Sequence, residues 1–317
     1  MSFVSDLING ADNKFDHTSL NALQKVTLRA VVMAFLFYGL AAIEGMIMRT
    51  ASVIPSIPPV YGSPEHYFSI MTVHPIVGIF GSTYQLVFGA FMFLVPFLTK
   101  KPLYSVKLAN WVWLLITVGT ALSWIAAFAW NYAPLYTLYW PLPADTEQFK
   151  TIGGIVFILG VALIMLGTFG FIYNIYATIF ARVGAHQNKT MKELLISGFG
   201  IDGILNLWYK LTGRQPYTKE PALSLPVVAI FRGTVDTFLD ALIILGAGIL
   251  VLVYLFADLG GFNLDVKSVD ALLYKNWFWW GLDLVADGLV LIYVAGSWYL
   301  LATIITDCNV NFDEKDY

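Results

Sequence analysis

Length and composition already exclude several classes of protein. The chain has 317 residues, of which 58% are hydrophobic and 12% are charged, and its formal net charge is −3. The mean hydropathy of +0.71 is far above that of a soluble globular domain. The lack of a basic excess argues against a nucleic-acid partner. The single cysteine, Cys308, excludes a disulfide framework within the chain.

The predicted elements begin after a polar segment of mixed charge, residues 1–25. This segment lacks a basic stretch followed by an apolar one, so we predict no cleaved signal peptide and expect it to lie in the cytoplasm. Apolar runs of about 20 residues then recur, and these predict membrane-spanning helices. We expect an all-α polytopic membrane protein, with a six-helix membrane domain over residues 26–305 and an acidic cytoplasmic tail over 306–317. The six predicted spans cover residues 26–48, 68–98, 107–132, 150–182, 224–257 and 275–305.

Basic residues in the loops predict how these helices are oriented. Two loops, 99–107 and 182–220, are rich in lysine and arginine, whereas the loops at 133–149 and 258–274 are acidic or nearly neutral. The positive-inside rule therefore places both termini in the cytoplasm, with the helices in the cell membrane. The basic residues of the two loops are Lys100, Lys101, Lys107, Arg182, Lys189, Lys192, Lys210, Arg214 and Lys219.

The second span, YFSIMTVHPIVGIFGSTYQLVFGAFMFLVP (residues 67–96), carries one histidine in apolar surroundings. His74 lies about 9 Å into the predicted helix, in the outer part of the membrane. Pro75 follows it and is expected to loosen the helical hydrogen-bond ladder. Two interpretations stay open: a neutral imidazole bonded to a neighbouring helix, or a metal ligand, most plausibly axial to a haem iron.

The fifth span contains three charged residues at a spacing of four. Arg232, Asp236 and Asp240 therefore share one side of the predicted helix. They form either an internal ion pair shielded from lipid or a proton path that enters from the cytoplasm. Glu44, near the end of the first span, is expected to pair with Arg49 at the outer interface.

The sixth span begins with two carboxylates, Asp283 and Asp287, also four residues apart. Two ionised carboxylates on one helix face repel each other, so either they share a proton or a bound metal relieves the repulsion. Both interpretations stay open.

Several segments resemble subunit I of the haem–copper oxidases, in its B-type, archaeal-like branch. Residues 67–96 resemble the second helix of that subunit, where an early histidine ligates the low-spin haem. Residues 131–145, 223–233 and 272–283 resemble, in order, the outer loop after the third helix, the entry to the fifth helix and the start of the sixth. The resemblance covers most of residues 26–305 and implies that His74 is an axial haem ligand.

The chain departs from the family pattern in two ways. The sixth helix of the family reads Trp-Trp-x-Gly-His-Pro-x-Val-Tyr, and here Asp283 stands in place of the copper-binding histidine and Asp287 in place of the tyrosine. Carboxylates favour iron or manganese over copper, so copper is not expected and a non-haem metal at Asp283 and Asp287 is an alternative. Family subunits also carry about twelve helices, and the remaining metal ligands come from the later ones.

These features predict one half of a split subunit I in a membrane respiratory oxidoreductase of the terminal oxidase type. Other subunits are expected to supply the missing helices and the second haem ligand, and a quinol or a small metalloprotein is expected to supply electrons. The first alternative is a metal-free structural or assembly subunit. The second is a proton-coupled transporter, against which the lack of an internal repeat argues.

Overall fold

The computed structural model describes residues 21–54, 64–99, 101–181, 188–218, 221–290 and 297–298, with the side chains of 64, 225, 282–287, 289 and 290 left out. The described residues are helical with connecting loops, and they contain no strand. The helices are α1 (Ala22–Val53), α2 (Pro64–Pro75), a π-helical segment (Ile76–Tyr84), α3 (Gln85–Thr99), α4 (Val106–Trp130), α5 (Thr151–Phe180), α6 (Met191–Gly198), α7 (Ile201–Leu211), α8 (Leu225–Leu259) and α9 (Ala271–Val290).

Five of the predicted membrane spans are confirmed among the described residues. They are Ala22–Val53, Glu65–Thr99, Val106–Trp130, Thr151–Phe180 and Pro226–Leu259, and each is long and apolar enough to cross a bilayer. The prediction of an all-α polytopic membrane protein is therefore confirmed. The sixth predicted span, 275–305, begins within α9, but most of its second half lies outside the described residues.

The second span is a continuous helix whose middle is wound as a π-helix. Pro75 has no amide hydrogen to donate, so it removes one rung of the ladder, and the π-helical segment begins at the next residue and runs to Tyr84. The loosening expected after Pro75 therefore extends over nine residues.

The bundle has its tightest contact between α4 and α5. A Cβ atom added to Gly119 would lie 2.5 Å from the carbonyl oxygen of Gly160, so the two backbones touch with no side chain between them. Ser123 of α4 donates a hydrogen bond of 3.2 Å across this seam to the carbonyl of Phe157. On the far side of α5 lies α8, and α9 packs on α8.

At the other edge of the bundle, α1 packs on the second span and leaves most of its own surface exposed. Ala30 of α1 fits against Gly89 of α3, where an added Cβ would lie 2.7 Å from the alanine methyl. The inner face of α1 lies against the segment that carries His74, which positions the candidate site at the boundary of the bundle.

Candidate functional site

His74 is half-buried at the contact between the second span and α1. Its Nδ1 lies 2.9 Å from the carbonyl oxygen of Ala41. A carbonyl oxygen only accepts hydrogen bonds, so Nδ1 carries the hydrogen, and in the tautomer with a single hydrogen on Nδ1 the lone pair of Nε2 is available. A hydrogen bond of this kind on the ring nitrogen opposite the metal is the usual support of a ligating histidine.

Gly45, one turn beyond Ala41 on α1, makes room for this imidazole. A Cβ atom added at Gly45 would lie 3.3 Å from Cε1 of His74 and 3.9 Å from each of its ring nitrogens. The ring therefore lies close against the backbone of α1, and the hydrogen bond to Ala41 fixes its rotation. Glycine at this position lets the two helices approach with the imidazole between them.

The arrangement fits one axial position of a haem. The porphyrin supplies four equatorial nitrogens, so a single imidazole with a free lone pair is a sufficient contribution from one helix. The described residues contain no group of three or more histidine, cysteine, aspartate or glutamate side chains that could hold a metal ion by themselves. Among the described residues, His74 therefore has no protein partners that would complete a metal site with it.

Glu44 lies on the same side of α1 as Ala41 and is buried, with 3% of its surface exposed. Trp124 of α4 donates a hydrogen bond of 2.8 Å from Nε1 to Oε1 of Glu44, whereas Oε2 is buried without a hydrogen-bond partner among the described residues. The helix continues nine residues further to Val53, and Arg49 is exposed. The observed partner is thus a tryptophan inside the bundle, where the sequence suggested an arginine at the interface.

Asp240 of α8 is fully buried beside Tyr84, the last residue of the π-helical segment. The Tyr84 hydroxyl donates a hydrogen bond of 2.9 Å to Oδ2, and Oδ1 has no hydrogen-bond partner among the described residues. Phe80 and Phe88 pack on the Tyr84 ring at centroid distances of 4.9 and 4.7 Å. A carboxyl group with one hydrogen bond in aromatic surroundings is expensive to ionise.

The three charged residues of α8 differ in burial although they share one side of the helix by spacing. Arg232 is exposed, and its guanidinium lies 5.8 Å from the ring centroid of Phe199. Asp236 is half-buried and Asp240 is buried. From Arg232 to Asp240, the charged side chains therefore become more buried over eight residues, which is about 12 Å along the helix.

Asp283 and Asp287 fall within α9, but their side chains lie outside the described residues, and their proposed roles stay predictions. The glycines on either side are described. A Cβ added to Gly281 would lie 2.8 Å from Cγ2 of Ile243, and one added to Gly288 would lie 3.1 Å from Oγ1 of Thr237. This stretch of α9 therefore packs closely along α8.

Sequence reasoning missed Tyr84, Trp124 and the pair of small residues, Ala41 and Gly45, that receive the imidazole. Each occurs in an apolar span where tyrosine, tryptophan and glycine are common. The only sequence signal is indirect: a buried carboxylate needs a donor, and Tyr84 and Trp124 are donors in neighbouring spans.

Comparison with known proteins agrees with the resemblance found in the sequence. The family described as cytochrome c and quinol oxidase polypeptide I matches residues 25–310. A cytochrome c oxidase subunit 1 homolog of Agrobacterium tumefaciens (strain T37) is 30% identical over 176 residues, which are 48% of this chain and 28% of that protein.

A second relative, cytochrome c oxidase subunit 1 of Rhodobacter capsulatus, is 29% identical over 182 residues, covering 51% of this chain and 30% of the relative. The chain thus matches less than a third of the length of these relatives. Because the family match extends over nearly the whole chain, the protein belongs to the cytochrome c and quinol oxidase polypeptide I family and is a subunit I-like, multi-pass membrane protein.

Proposed function

We propose that this chain is one part of a divided subunit I in a membrane respiratory oxidoreductase, in which His74 provides one axial ligand of a low-spin haem. The observation that carries the proposal is the hydrogen bond from Nδ1 of His74 to Ala41, which leaves Nε2 available to a metal. A low-spin haem, when bound, supplies one-electron transfer at its iron. Family membership supports the choice of haem over a metal held by protein side chains alone.

The chain's own contribution is to hold and orient the imidazole. The carbonyl of Ala41 fixes the tautomer, and the open space at Gly45 allows the ring to lie against α1. Such a backbone hydrogen bond fixes the orientation of a ligating imidazole ring. The half-buried position of His74 lets a cofactor approach from the edge of the bundle.

Partner chains complete this proposal. Within this proposal, the opposite haem ligand and the reaction centre are assigned to other subunits, and membership of the oxidase subunit I family supports a multi-subunit complex. The outer surface of α1 exposes large apolar side chains, including Phe35 and Met46, and offers lipid or partner helices a continuous contact. In this proposal, electrons come from a quinol or a small metalloprotein and end on oxygen or nitric oxide.

A proton path along α8 is part of the same proposal. The series Arg232, Asp236, Asp240 leads from an exposed side chain to a buried one, and Tyr84 extends it into the second span. Because the start of α8 is predicted to lie on the cytoplasmic side, the path would take protons from the cytoplasm. Asp240 would hold a proton at Oδ1, the oxygen that Tyr84 does not bond.

The experiment compares reduced-minus-oxidised visible spectra of the gently purified complex for the native chain, His74→Gln and His66→Gln. Glutamine still offers a hydrogen-bond donor but is a poor haem ligand, and His66 is a matched histidine near the start of α2. We expect His74→Gln to lose the low-spin haem band and His66→Gln to keep it. A folded native complex without haem would contradict the proposal and favour a metal-free structural subunit.

A further inference from the structure

The loop between α5 and α8 contains a helix whose apolar side faces away from the protein. In α7, Ile204, Trp208 and Leu211 recur at helical spacing and are 67%, 57% and 73% exposed. Ile201 and Leu207 are exposed on the same side. In a water-soluble domain such a face packs into the core. A continuous apolar patch that stays on the surface is usually covered by a partner protein or by lipid.

The polar side of α7 is turned toward the chain and is satisfied there. The Asn206 side chain donates a hydrogen bond of 3.0 Å to the carbonyl of Thr218 and accepts one of 3.0 Å from its amide. Asp202 is buried and accepts a bond of 2.8 Å from the amide of Gly203. The two Asn206 bonds hold the segment that follows α7 against the polar side of the helix, and this leaves the apolar side facing outward.

Helix α6 ties this loop to the membrane bundle. Leu194 is fully buried, and Gly198 lies against the ring of Phe231, in the second turn of α8. The Ser197 hydroxyl accepts a hydrogen bond of 3.0 Å from the amide of Leu223, just before α8 begins. Gly200, with a φ of +68°, makes the sharp turn into α7. The turn therefore sets the start of α7 beside Val228 and Phe231 of α8, and Phe231 also packs on Phe180 at the end of α5.

Basic side chains surround the apolar face. Lys192, Lys210 and Arg214 are exposed, and the guanidinium of Arg214 lies 6.0 Å from the ring centroid of Tyr209. The acidic residues nearby are already engaged: Glu193 bonds Thr190 at the start of α6, and Asp202 is buried. An outward apolar face with a tryptophan and a basic border is the pattern of a helix that lies in the headgroup layer.

We propose that α7 is an interfacial helix whose apolar face enters the acyl chains of the bilayer and whose basic border binds anionic phospholipid headgroups. The predicted cytoplasmic orientation of this loop agrees with the negative surface of that leaflet. Lipid is the occupant that the position favours, because both neighbouring spans already cross the bilayer. The helix would fix the depth of the α5–α8 loop relative to the membrane surface.

The test uses the full chain with Cys308→Ser, in vesicles of phosphatidylcholine mixed with phosphatidylglycerol. Single cysteines are introduced as Ile204→Cys, Leu211→Cys and, as the control at an exposed polar position beyond the helix, Gln215→Cys. Each carries an environment-sensitive fluorophore, and quenching is measured with lipids that bear a nitroxide on the acyl chain. The nitroxide is placed either on phosphatidylcholine or on phosphatidylglycerol.

We expect strong quenching at positions 204 and 211 and little at 215. Labelled phosphatidylglycerol should quench at least about twofold more than labelled phosphatidylcholine, and the ratio should approach one when Lys192→Gln, Lys210→Gln and Arg214→Gln are combined. If lipid nitroxides do not quench the probes at positions 204 and 211, the proposal is overturned. This holds both for a probe that lies in water and for one that another protein segment covers. Equal quenching by the two lipids in the unaltered loop would overturn the assignment of anionic headgroups.

Discussion

Two helix contacts depend on glycine: the seam between α4 and α5, and the contact between α1 and the second span. The group that fills the space beside the glycine differs between them. At the seam, Gly119 and Gly160 bring two backbones together, and the neighbouring hydroxyl of Ser123 donates a hydrogen bond across it. At the α1 contact, the space left by Gly45 is filled by the imidazole of His74, and one ring nitrogen takes part in no described bond. The first region brings two backbones together, and the second, under the proposed function, keeps an imidazole nitrogen available to a metal.

The largest effect is expected at the seam, from Gly160→Leu. A Cβ added at Gly160 would already lie 2.6 Å from the carbonyl oxygen of Gly119 and 2.8 Å from the backbone nitrogen of Ser123, so the larger leucine side chain should cause loss of most of the folded protein. The matched control is Gly39→Leu in α1, where an added Cβ has nothing within 4 Å. Size-exclusion profiles and apparent Tm values in detergent would check this. Equal stability of the two variants would remove the distinction between the regions.

At the other contact, Gly45→Val is expected to reduce haem content without unfolding the chain. The new methyl groups would press on Cε1 of His74, which an alanine-sized Cβ would already approach to 3.3 Å, so the ring must turn away from Ala41. We expect a severalfold lower haem-to-protein ratio in the purified complex, with an apparent Tm close to that of the Gly39→Val control. An unchanged ratio would mean that the ring position is not important for the cofactor.

A smaller loss of stability is expected when the hydrogen bond between Tyr84 and Asp240 is removed. Tyr84→Phe removes the only donor that the described residues offer to this buried carboxyl group, which should cost about 1–2 kcal/mol of stability. In an Asp240→Leu background the same change should cost much less, because the group that needed the bond is gone. Apparent Tm values of the four proteins give the coupling. Additive losses would show that the bond contributes nothing to stability.

The smallest expected effect is a pH dependence of stability that comes from Lys101, in the loop before α4. Its ammonium donates to the carbonyls of Thr178, Ile179 and Ala181 at the end of α5, and burial lowers its pKa to about 8 from an ordinary 10.5. Between pH 8 and 10.5 the unfolded chain therefore binds more protons at this site, so the stability contribution of Lys101 rises with pH across that window.

The measurement is the apparent Tm of the native chain minus that of Lys101→Met, as a function of pH. This difference should increase from about pH 8 to pH 10.5 and be constant below pH 8. Lys107→Met, in the first turn of α4, is the control and should show no such change. A flat difference in both variants would contradict the assignment of the pH dependence to Lys101.

Much of the fold could be predicted from sequence because lipid imposes strong rules on it. The five confirmed spans follow from apolar length, and Pro75 predicts a loosened hydrogen-bond ladder, but the nine-residue π-helical segment that follows it was not predicted. The partners of the polar groups could not be predicted. Helical spacing shows that Arg232 and Asp240 share a side of α8, but only packing decides that Asp240 meets Tyr84 while Arg232 meets solvent and Phe199.

The register of α9 shows the same limit. The family motif can be aligned in two ways. Aligned on Trp279 and Trp280, it puts Asp283 at the position of the copper-binding histidine; aligned on Gly281, it puts Leu282 there. The copper-binding histidine is missing in both registers, so the expectation about copper does not depend on the choice. The metal-ligand interpretation of Asp283 does depend on it and stays a prediction.

The measurement that tests the central claim most directly is imidazole rescue of His74→Gly. The low-spin haem signal of the oxidised complex is recorded by electron paramagnetic resonance for the native chain and for the variant, with and without added imidazole. The account predicts that the signal disappears in the variant and returns with imidazole, because the free ring occupies the vacated ligand position. A low-spin signal that persists unchanged in His74→Gly without imidazole would contradict the assignment of His74 as the axial ligand.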